Sequence, residues 1–175
     1  LSDPDRYEHS NAFCDVLSVG SGPSGLSAAL VAARAGLRVV LCEEDFAFGG
    51  RLLGDRREID AVPAPLWVKG VIAELEKHEN VRLMARTAVF GSYDGGTYGA
   101  IERTIDYRPP RKGVPRQRLW RIVAKQTILA SGATERGLVF GGNDRPGVMM
   151  ASAARTYTNR FAVASGKHLV ILTNN

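Results

Sequence analysis

Patterns that mark several common classes of protein are missing from these 175 residues. No apolar run approaches the roughly 20 residues that a membrane-spanning helix needs, and no secretory signal pattern opens the chain. The two cysteines, Cys14 and Cys42, form no C-x-x-C or C-x-x-x-x-C pair, so a disulfide-reductase redox centre is not expected. We predict reduced core cysteines and a cytoplasmic chain without a membrane partner.

Residue patterns of common metal and hydrolytic sites are also missing. His9, His78 and His168 have no metal-ligand spacing with one another or with the cysteines. Ser24 is not a nucleophile elbow, because the pattern G-x-S-x-G needs a glycine where Leu26 stands. No pair of carboxylates stands out as an acid and base couple. The sequence therefore predicts no metal site and no catalytic residue in this chain.

The net charge is +5, and its excess is concentrated in residues 108–118, which hold five basic residues among three prolines. Such a basic stretch is compatible with nucleic-acid binding, but no aromatic residue alternates with the bases to stack nucleotides. A solvated, proline-stiffened loop between strands is the favoured interpretation, and no nucleic-acid partner is expected. Contact with an acidic partner protein of the same complex remains an alternative.

A glycine-rich stretch at residues 16–30, VLSVGSGPSGLSAAL, is present and nearly matches two phosphate-binding patterns. The P-loop pattern fails because Leu26 replaces the lysine that must reach the phosphates. The dinucleotide pattern G-x-G-x-x-G is complete at Gly20, Gly22 and Gly25. Its glycines permit a tight turn, a close approach to a pyrophosphate and close helix packing, and the helix start would bind the phosphate charge.

The flanking sequence supports the dinucleotide interpretation. Residues 14–19, CDVLSV, are typical of a buried parallel strand, and an amphipathic helix follows the glycines. A second strand, LRVVLCEE, ends at Glu43 and Glu44, about 20 residues beyond the glycines, where a carboxylate accepts a hydrogen bond from a ribose 2′-hydroxyl. Because a carboxylate repels a 2′-phosphate, NAD or FAD is favoured over NADP.

The remaining segments complete a predicted domain plan. Residues 1–13 are expected to be a linker from an upstream region, and residues 81–125 to form a β-meander of the kind inserted in flavoproteins with two dinucleotide sites. The stretch KQTILASGA resembles the T-x-x-x-x-A-T-G strand of those folds, with Ser131 in place of threonine and Gly132 beside the dinucleotide. Residues 166–175 are predicted to be the first strand of a truncated second nucleotide-binding unit.

The predicted fold class is therefore α/β. Residues 14–165 are expected to form an FAD/NAD(P)-binding, glutathione-reductase-like domain, with a Rossmann-type parallel sheet and a β-meander insertion. The domain would be truncated at the start of its second nucleotide-binding unit.

Three stretches resemble the family of α subunits of heterotetrameric sarcosine oxidase. They are residues 3–45, from DPDRYEHSNAFCDV to LRVVLCEED, the later FGGRLL, and above all GATERGLVFGGNDRPGVMMASAARTY. The related α subunits of opine and hydroxyproline dehydrogenases share much of the same pattern. The resemblance covers nearly the whole chain.

The resemblance implies an enzyme complex of α, β, γ and δ subunits that oxidises sarcosine to glycine, formaldehyde and hydrogen peroxide, or passes the one-carbon unit to tetrahydrofolate. It implies that the α subunit binds NAD⁺ without a covalent bond. FAD would belong to the β subunit, and covalent FMN would lie between α and β. The isolated chain is expected to be inactive.

The resemblance also implies a set of site residues. The pyrophosphate would lie over the glycine-rich turn, the adenosine ribose among the acidic residues after the second strand, and the phosphates near the FGGR stretch. Asp45 stands where the family commonly has a polar or basic residue, and Ser131 where it has threonine. The implied cofactor-binding residues are Gly20, Gly22, Pro23, Ser24, Gly25, Glu43, Glu44, Asp45, Gly50, Arg51, Val89 as an apolar wall for the adenine, Ser131 and Gly132.

Two other functions stay open on the sequence alone. The chain could be an FAD-binding subunit of a pyridine-nucleotide-dependent oxidoreductase that carries out its own hydride transfer. It could also be a nucleotide-bound scaffold for assembly of a larger enzyme.

Overall fold

Residues 5–105 and 108–173 are described by the structure, a computed structural model, and they contain a central sheet flanked by helices. The strands in those ranges are β1 (Tyr7–Val19), β2 (Val39–Cys42), β3 (Glu58–Ile59), β4 (Val62–Pro63), β5 (Val81–Met84), β6 (Thr87–Tyr93), β7 (Thr97–Arg103) and β8 (Gln117–Leu129). The α-helices are α1 (Pro23–Arg34), α2 (Ala64–Leu75) and α3 (Ala151–Phe161), and short 3₁₀ helices lie at Gly50–Gly54 and Asp94–Gly96.

The six longer strands form one sheet in the order β5-β2-β1-β8-β7-β6. β1 pairs in parallel with β2 on one side and with β8 on the other, and β5 extends the parallel part beyond β2. All four residues of β2 are buried, because a parallel strand inside such a sheet is covered on both faces. The predicted Rossmann-type parallel sheet is confirmed.

Helices α1 and α2 cover one face of the parallel strands. Pro23 begins α1 at a position that needs no backbone N–H donor, and Gly36 follows the helix with a φ of +76°. The two helices bury small and aliphatic side chains against β1 and β2, and an exposed ion pair joins Arg34 of α1 to Glu74 of α2. The buried residues of this first core include Leu26, Ala29, Ala33, Val39, Leu41, Val68, Val71 and Leu75.

The antiparallel strands β6 and β7 bend the sheet toward the face opposite helices α1 and α2. β6 lies four places from β2 in the sheet order, yet the N–H of Thr87 donates to the carbonyl of Glu43 at 2.7 Å. A second core fills the space between, with Cys14, Val40 and Cys42 on one side and Ala100 and Ile122 on the other. The sheet therefore folds back on itself next to the carboxyl end of β2.

The predicted linker over residues 1–13 is wrong for residues 7–13, which form the first half of β1. This half looks like a linker because it is polar, but charge pairs hold it in the sheet. Glu8 pairs with Arg118 at 3.0 Å, and Asp5, just before the strand, pairs with Arg116 at 2.6 Å. Two of the five basic residues in the stretch 108–118 thus bind the start of the chain.

Two further boundaries differ from the predictions. The meander begins at β6 and not at residue 81, because β5 pairs in parallel with β2 and so belongs to the parallel sheet. The predicted strand at 166–175 is wrong for the described residues 166–173, which form no strand. A strand needs a continuous ladder of backbone hydrogen bonds with a neighbouring strand, and in the described ranges no such ladder includes these residues.

The first core makes a stability prediction for α2. Leu75 is fully buried, whereas Leu66 on the same helix is 55% exposed. Leu75→Ala should lower the free energy of unfolding by about 2–5 kcal/mol, since it removes buried methyl groups and leaves a cavity. Leu66→Ala, the matched control, should change it by less than about 0.5 kcal/mol. Urea unfolding followed by circular dichroism measures both, and equal effects would contradict the described packing.

Candidate functional site

The turn between β1 and α1, here called the glycine loop (residues 20–25), is shaped by two glycines that tolerate no side chain. Gly20 has a φ of +97°, and a Cβ there would collide with the carbonyl oxygen of Ala130, which follows β8. A Cβ on Gly25 would collide with the carbonyl oxygen of Gly20. Both collisions are with backbone, so these positions require glycine to close the turn.

Gly22 differs from the other two glycines of the pattern. Its φ of −64° is open to any residue, and a Cβ built there meets no atom within 4 Å. The adjoining start of α1 has no side-chain cap, and the first N–H groups of a helix have no partner within it. Pro23 and Ser24 are exposed beside this space. An open space with helical N–H donors beside it suits an anion.

Glu43 lies at the carboxyl end of β2, as the sequence predicted, and is 7% exposed. Its carboxylate accepts hydrogen bonds from the N–H of Ser21 at 3.0 Å, the hydroxyl of Ser21 at 2.5 Å and the N–H of Asp45 at 3.0 Å. Ser21 was not among the predicted site residues, because it occupies a position of the pattern G-x-G-x-x-G that any residue can fill. The buried carboxylate of Glu43 therefore fixes the glycine loop through its hydrogen bonds with Ser21.

Glu44 and Asp45 follow Glu43 but have different surroundings. Glu44 is exposed, whereas the Asp45 carboxylate forms two hydrogen bonds, of 2.5 and 3.1 Å, with the guanidinium of Arg160 on α3. Burial opposes ionisation of Asp45, but the bonds and charge of Arg160 outweigh it and lower the pKa of this carboxyl. The ring of Phe46 lies beneath Arg160, whose guanidinium carbon is 4.8 Å from the ring centre.

The FGGR segment (residues 48–51) packs against the glycine loop. The N–H of Gly49 donates to the hydroxyl of Ser21 at 2.8 Å, and a Cβ on Gly50 would lie 3.3 Å from the Cα of Gly22. Arg51 is exposed and donates to the carbonyl of Ala133, in a groove of about 470 Å³ that ends at α3. The structure thus brings Gly50 next to the glycine loop, whereas the side chain of Arg51 is bonded to the chain after β8.

The remaining predicted site residues have different surroundings. Ser131 and Gly132 follow β8 and are exposed, and the Cα of Ser131 lies 3.2 Å from the position of a Cβ on Gly20. Val89 is different, because its half-buried side chain packs against the second core. β8 therefore places Ser131 beside the turn, whereas Val89 contributes to packing in the described structure.

The cysteines add no reactive group to this region. Burial raises the pKa of Cys14 to about 11 and that of Cys42 to about 12, so both thiols stay protonated at neutral pH. Both are free of a disulfide. None of the helices in the described ranges combines the length and hydropathy required to cross a bilayer.

Comparison with known proteins places this geometry in a family. A family model described as FAD dependent oxidoreductase matches residues 15–80, which include the glycine loop and Glu43. The chain is 51% identical to the sarcosine oxidase alpha subunit of Rhizobium meliloti (strain 1021) over 175 residues, and 43% identical to that of Corynebacterium sp. (strain U-96) over 176 residues. Each match covers 99% of this chain.

The chain belongs with the sarcosine oxidase alpha subunits. It spans 18% of the length of these curated relatives, whose name marks them as subunits of larger assemblies. A more distant match is a subunit of opine oxidase from Agrobacterium tumefaciens (strain Ach5), 30% identical over 151 residues, with 82% of this chain and 28% of that protein covered.

Solved structures support the same fold for this member of the sarcosine oxidase alpha family. L-proline dehydrogenase from P. horikoshii matches with a TM-score of 0.74 and 28% identity, covering 91% of this chain and 31% of that one. Thioredoxin reductase from Streptococcus pyogenes MGAS5005 matches with a TM-score of 0.52 and 28% identity, covering 77% and 40%. The predicted FAD/NAD(P)-binding fold class is confirmed.

The pair between Asp45 and Arg160 makes a pH-dependent prediction. Since the folded protein lowers the pKa of Asp45, the pair stabilises the fold above the ordinary aspartate range and this contribution is lost as the pH falls below about 4. Asp45→Asn should therefore be less stable than the parent at pH 7, and the difference should shrink in acid.

Urea unfolding at pH 7 and at the lowest pH where both proteins fold measures this difference. Asp60→Asn is the control, because it makes the same change of charge at an exposed position. A difference between Asp45→Asn and the parent that does not shrink on acidification would contradict the ion pair.

Proposed function

We propose that the chain binds NAD⁺ without a covalent bond and is the nucleotide-binding part of a sarcosine-oxidising enzyme. The observation that carries the proposal is the open space at Gly22, beside the uncapped start of α1. The residue before it, Ser21, is hydrogen-bonded to the carboxylate of Glu43. Such a space accepts a pyrophosphate on one side and a ribose on the other.

On this proposal the glycine loop receives the pyrophosphate. Gly22 lets the phosphate oxygens approach the backbone, the N–H groups of Ser24 and Gly25 donate to them, and Gly20 and Pro23 shape the turn. Gly50 lies next to Gly22, and Arg51 adds a positive charge that can form a charge-assisted bond. Ser131 and Gly132, which follow β8 beside Gly20, would flank the same space.

The adenosine half would lie at the end of β2. Glu43 and Glu44 are proposed to accept hydrogen bonds from the ribose hydroxyls, and their charge would reject a 2′-phosphate. Asp45 would border the ribose while its carboxylate stays paired with Arg160. Val89 remains our proposed apolar neighbour of the adenine, although its packing in the second core leaves only part of its side chain for that contact.

The reaction would belong to the whole enzyme. Sarcosine would be oxidised to glycine with formaldehyde or methylene-tetrahydrofolate and hydrogen peroxide, in a complex with β, γ and δ subunits that also holds FAD and FMN. Bound NAD⁺ is able to accept a hydride, but the residues of this site would only bind and orient it. Because the chain spans 18% of its relatives' length, we expect it to be inactive on sarcosine by itself.

FAD is the second candidate ligand. The family model described as FAD dependent oxidoreductase matches residues 15–80, which include the glycine loop, Glu43 and the FGGR segment, and FAD contains the same adenosine diphosphate half as NAD⁺. A chain that binds FAD would belong to a flavin-dependent oxidoreductase, with the opine oxidase of Agrobacterium tumefaciens among its relatives.

The nature of the bound nucleotide can be measured directly on the purified chain. We expect heat-released ligand to be NAD⁺ by mass spectrometry, with no flavin absorbance in the visible region. The apoprotein should regain NAD⁺ in calorimetry, and NADP⁺ should bind at least about ten-fold more weakly because Glu43 and Glu44 repel its 2′-phosphate. If the purified protein is yellow and releases FAD, the ligand is FAD and not NAD⁺.

Gly22→Ala tests the place of the pyrophosphate. Since a Cβ at Gly22 meets no protein atom within 4 Å, the variant should fold and unfold as the parent does. Its methyl group would enter the proposed phosphate space, and the loss of hydrogen bonds to a charged group should weaken NAD⁺ binding roughly 10- to 100-fold. Calorimetry gives the affinity, and circular dichroism gives the stability.

Gly25→Ala is the matched control for this variant. Its Cβ collides with the carbonyl oxygen of Gly20, so it should lower the unfolding midpoint even without nucleotide. Full retention of NAD⁺ affinity in Gly22→Ala would place the pyrophosphate elsewhere.

A further inference from the structure

Within the described residues, the hydroxyl of Ser21 joins three segments by hydrogen bonds: the glycine loop to which it belongs, the end of β2 at Glu43 and the FGGR segment at Gly49. We propose that Ser21 is a positioning residue, whose hydroxyl orients the Glu43 carboxylate and thereby sets the preference for a ribose 2′-hydroxyl. The inference rests on the proposed function for the adenosine diphosphate half alone, and it holds for NAD⁺ and FAD alike.

The hydroxyl of Ser21 has one donor and two acceptor sites, and the structure uses both kinds. It donates to Glu43 Oε2 at 2.5 Å and accepts from the N–H of Gly49 at 2.8 Å. The N–H of Ser21 donates to the same carboxylate oxygen at 3.0 Å. Because Ser21 is fully buried, water cannot replace these bonds at low cost.

The carboxylate of Glu43 is consequently almost saturated by the protein. It accepts two bonds from Ser21 on Oε2 and one from the N–H of Asp45 on Oε1. A carboxylate offers about four lone-pair sites, so about one remains for a ligand. A single remaining acceptor with a fixed direction can select one hydroxyl of a ribose, whereas a mobile carboxylate would accept from either.

Gly49 connects this orientation to the phosphate side of the site. Its φ of +125° sets the start of the FGGR segment, and the next residue, Gly50, lies close to Gly22. Loss of the Ser21 hydroxyl would leave the N–H of Gly49 without its acceptor and free one side of Glu43. The ribose contact should then lose its selectivity even where the phosphate contacts survive.

The experiment compares ADP with 2′-deoxy-ADP as calorimetric probes of the full chain. Because 2′-deoxy-ADP lacks the hydroxyl that would donate to the charged carboxylate of Glu43, the parent should prefer ADP by roughly ten-fold or more. Ser21→Ala should bring the ratio of the two dissociation constants to within about two-fold of one. Ser18→Ala is the matched control, because Ser18 is an equally buried serine whose hydroxyl donates to the carbonyl of Gly25 and not to Glu43. It should keep the parent's ratio.

Each outcome decides the proposal. An unchanged ratio in Ser21→Ala, or a parent that binds both probes equally, would overturn it. If Ser21→Ala does not fold, Ser21→Gly keeps the backbone donor without the hydroxyl and is judged by the same ratio. NAD⁺ and FAD are titrated separately against the parent, so a wrong choice of cofactor is distinguished from a wrong role for Ser21.

Discussion

The parallel pairing of β1 with β8 is the constraint on which the rest of the site depends. The register places Val19 beside Leu129 at the ends of the two strands, and the N–H of Ala130 still donates to the carbonyl of Val19 at 2.8 Å. The chain after β8 therefore presses against Gly20 and leaves the turn no room for a side chain. The glycine loop owes its shape to a strand more than a hundred residues further along the chain.

Local patterns allowed much of this arrangement to be predicted from the sequence. The glycines, the helix that follows them and the acid at the end of β2 lie within about thirty residues, and their spacing carries a physical meaning that a single chain reveals. The buried strand β2 was equally visible, because an unbroken apolar run is typical of a parallel strand.

Features that depend on distant partners could not be predicted. The first half of β1 is polar, and its place in the sheet depends on the pair between Glu8 and Arg118, which are 110 positions apart. Asp45 resembles a ribose ligand in sequence, yet its carboxylate binds Arg160, 115 positions away. No sequence pattern indicated a role for Ser21, because its hydrogen bonds form only when the glycine loop, the end of β2 and the FGGR segment come together in the fold. Hydrophobic periodicity contains no information about such pairs.

The backbone at Gly22 has an ordinary conformation and an open surrounding, unlike the backbone at Gly20 and Gly25. Protein folding thus places no demand on glycine at this position, and a demand can come only from a bound molecule. Selection would consequently act differently on the three glycine positions. Among relatives that no longer bind a nucleotide, position 22 would be free to drift to larger residues, while positions 20 and 25 would stay glycine for as long as the turn itself is kept.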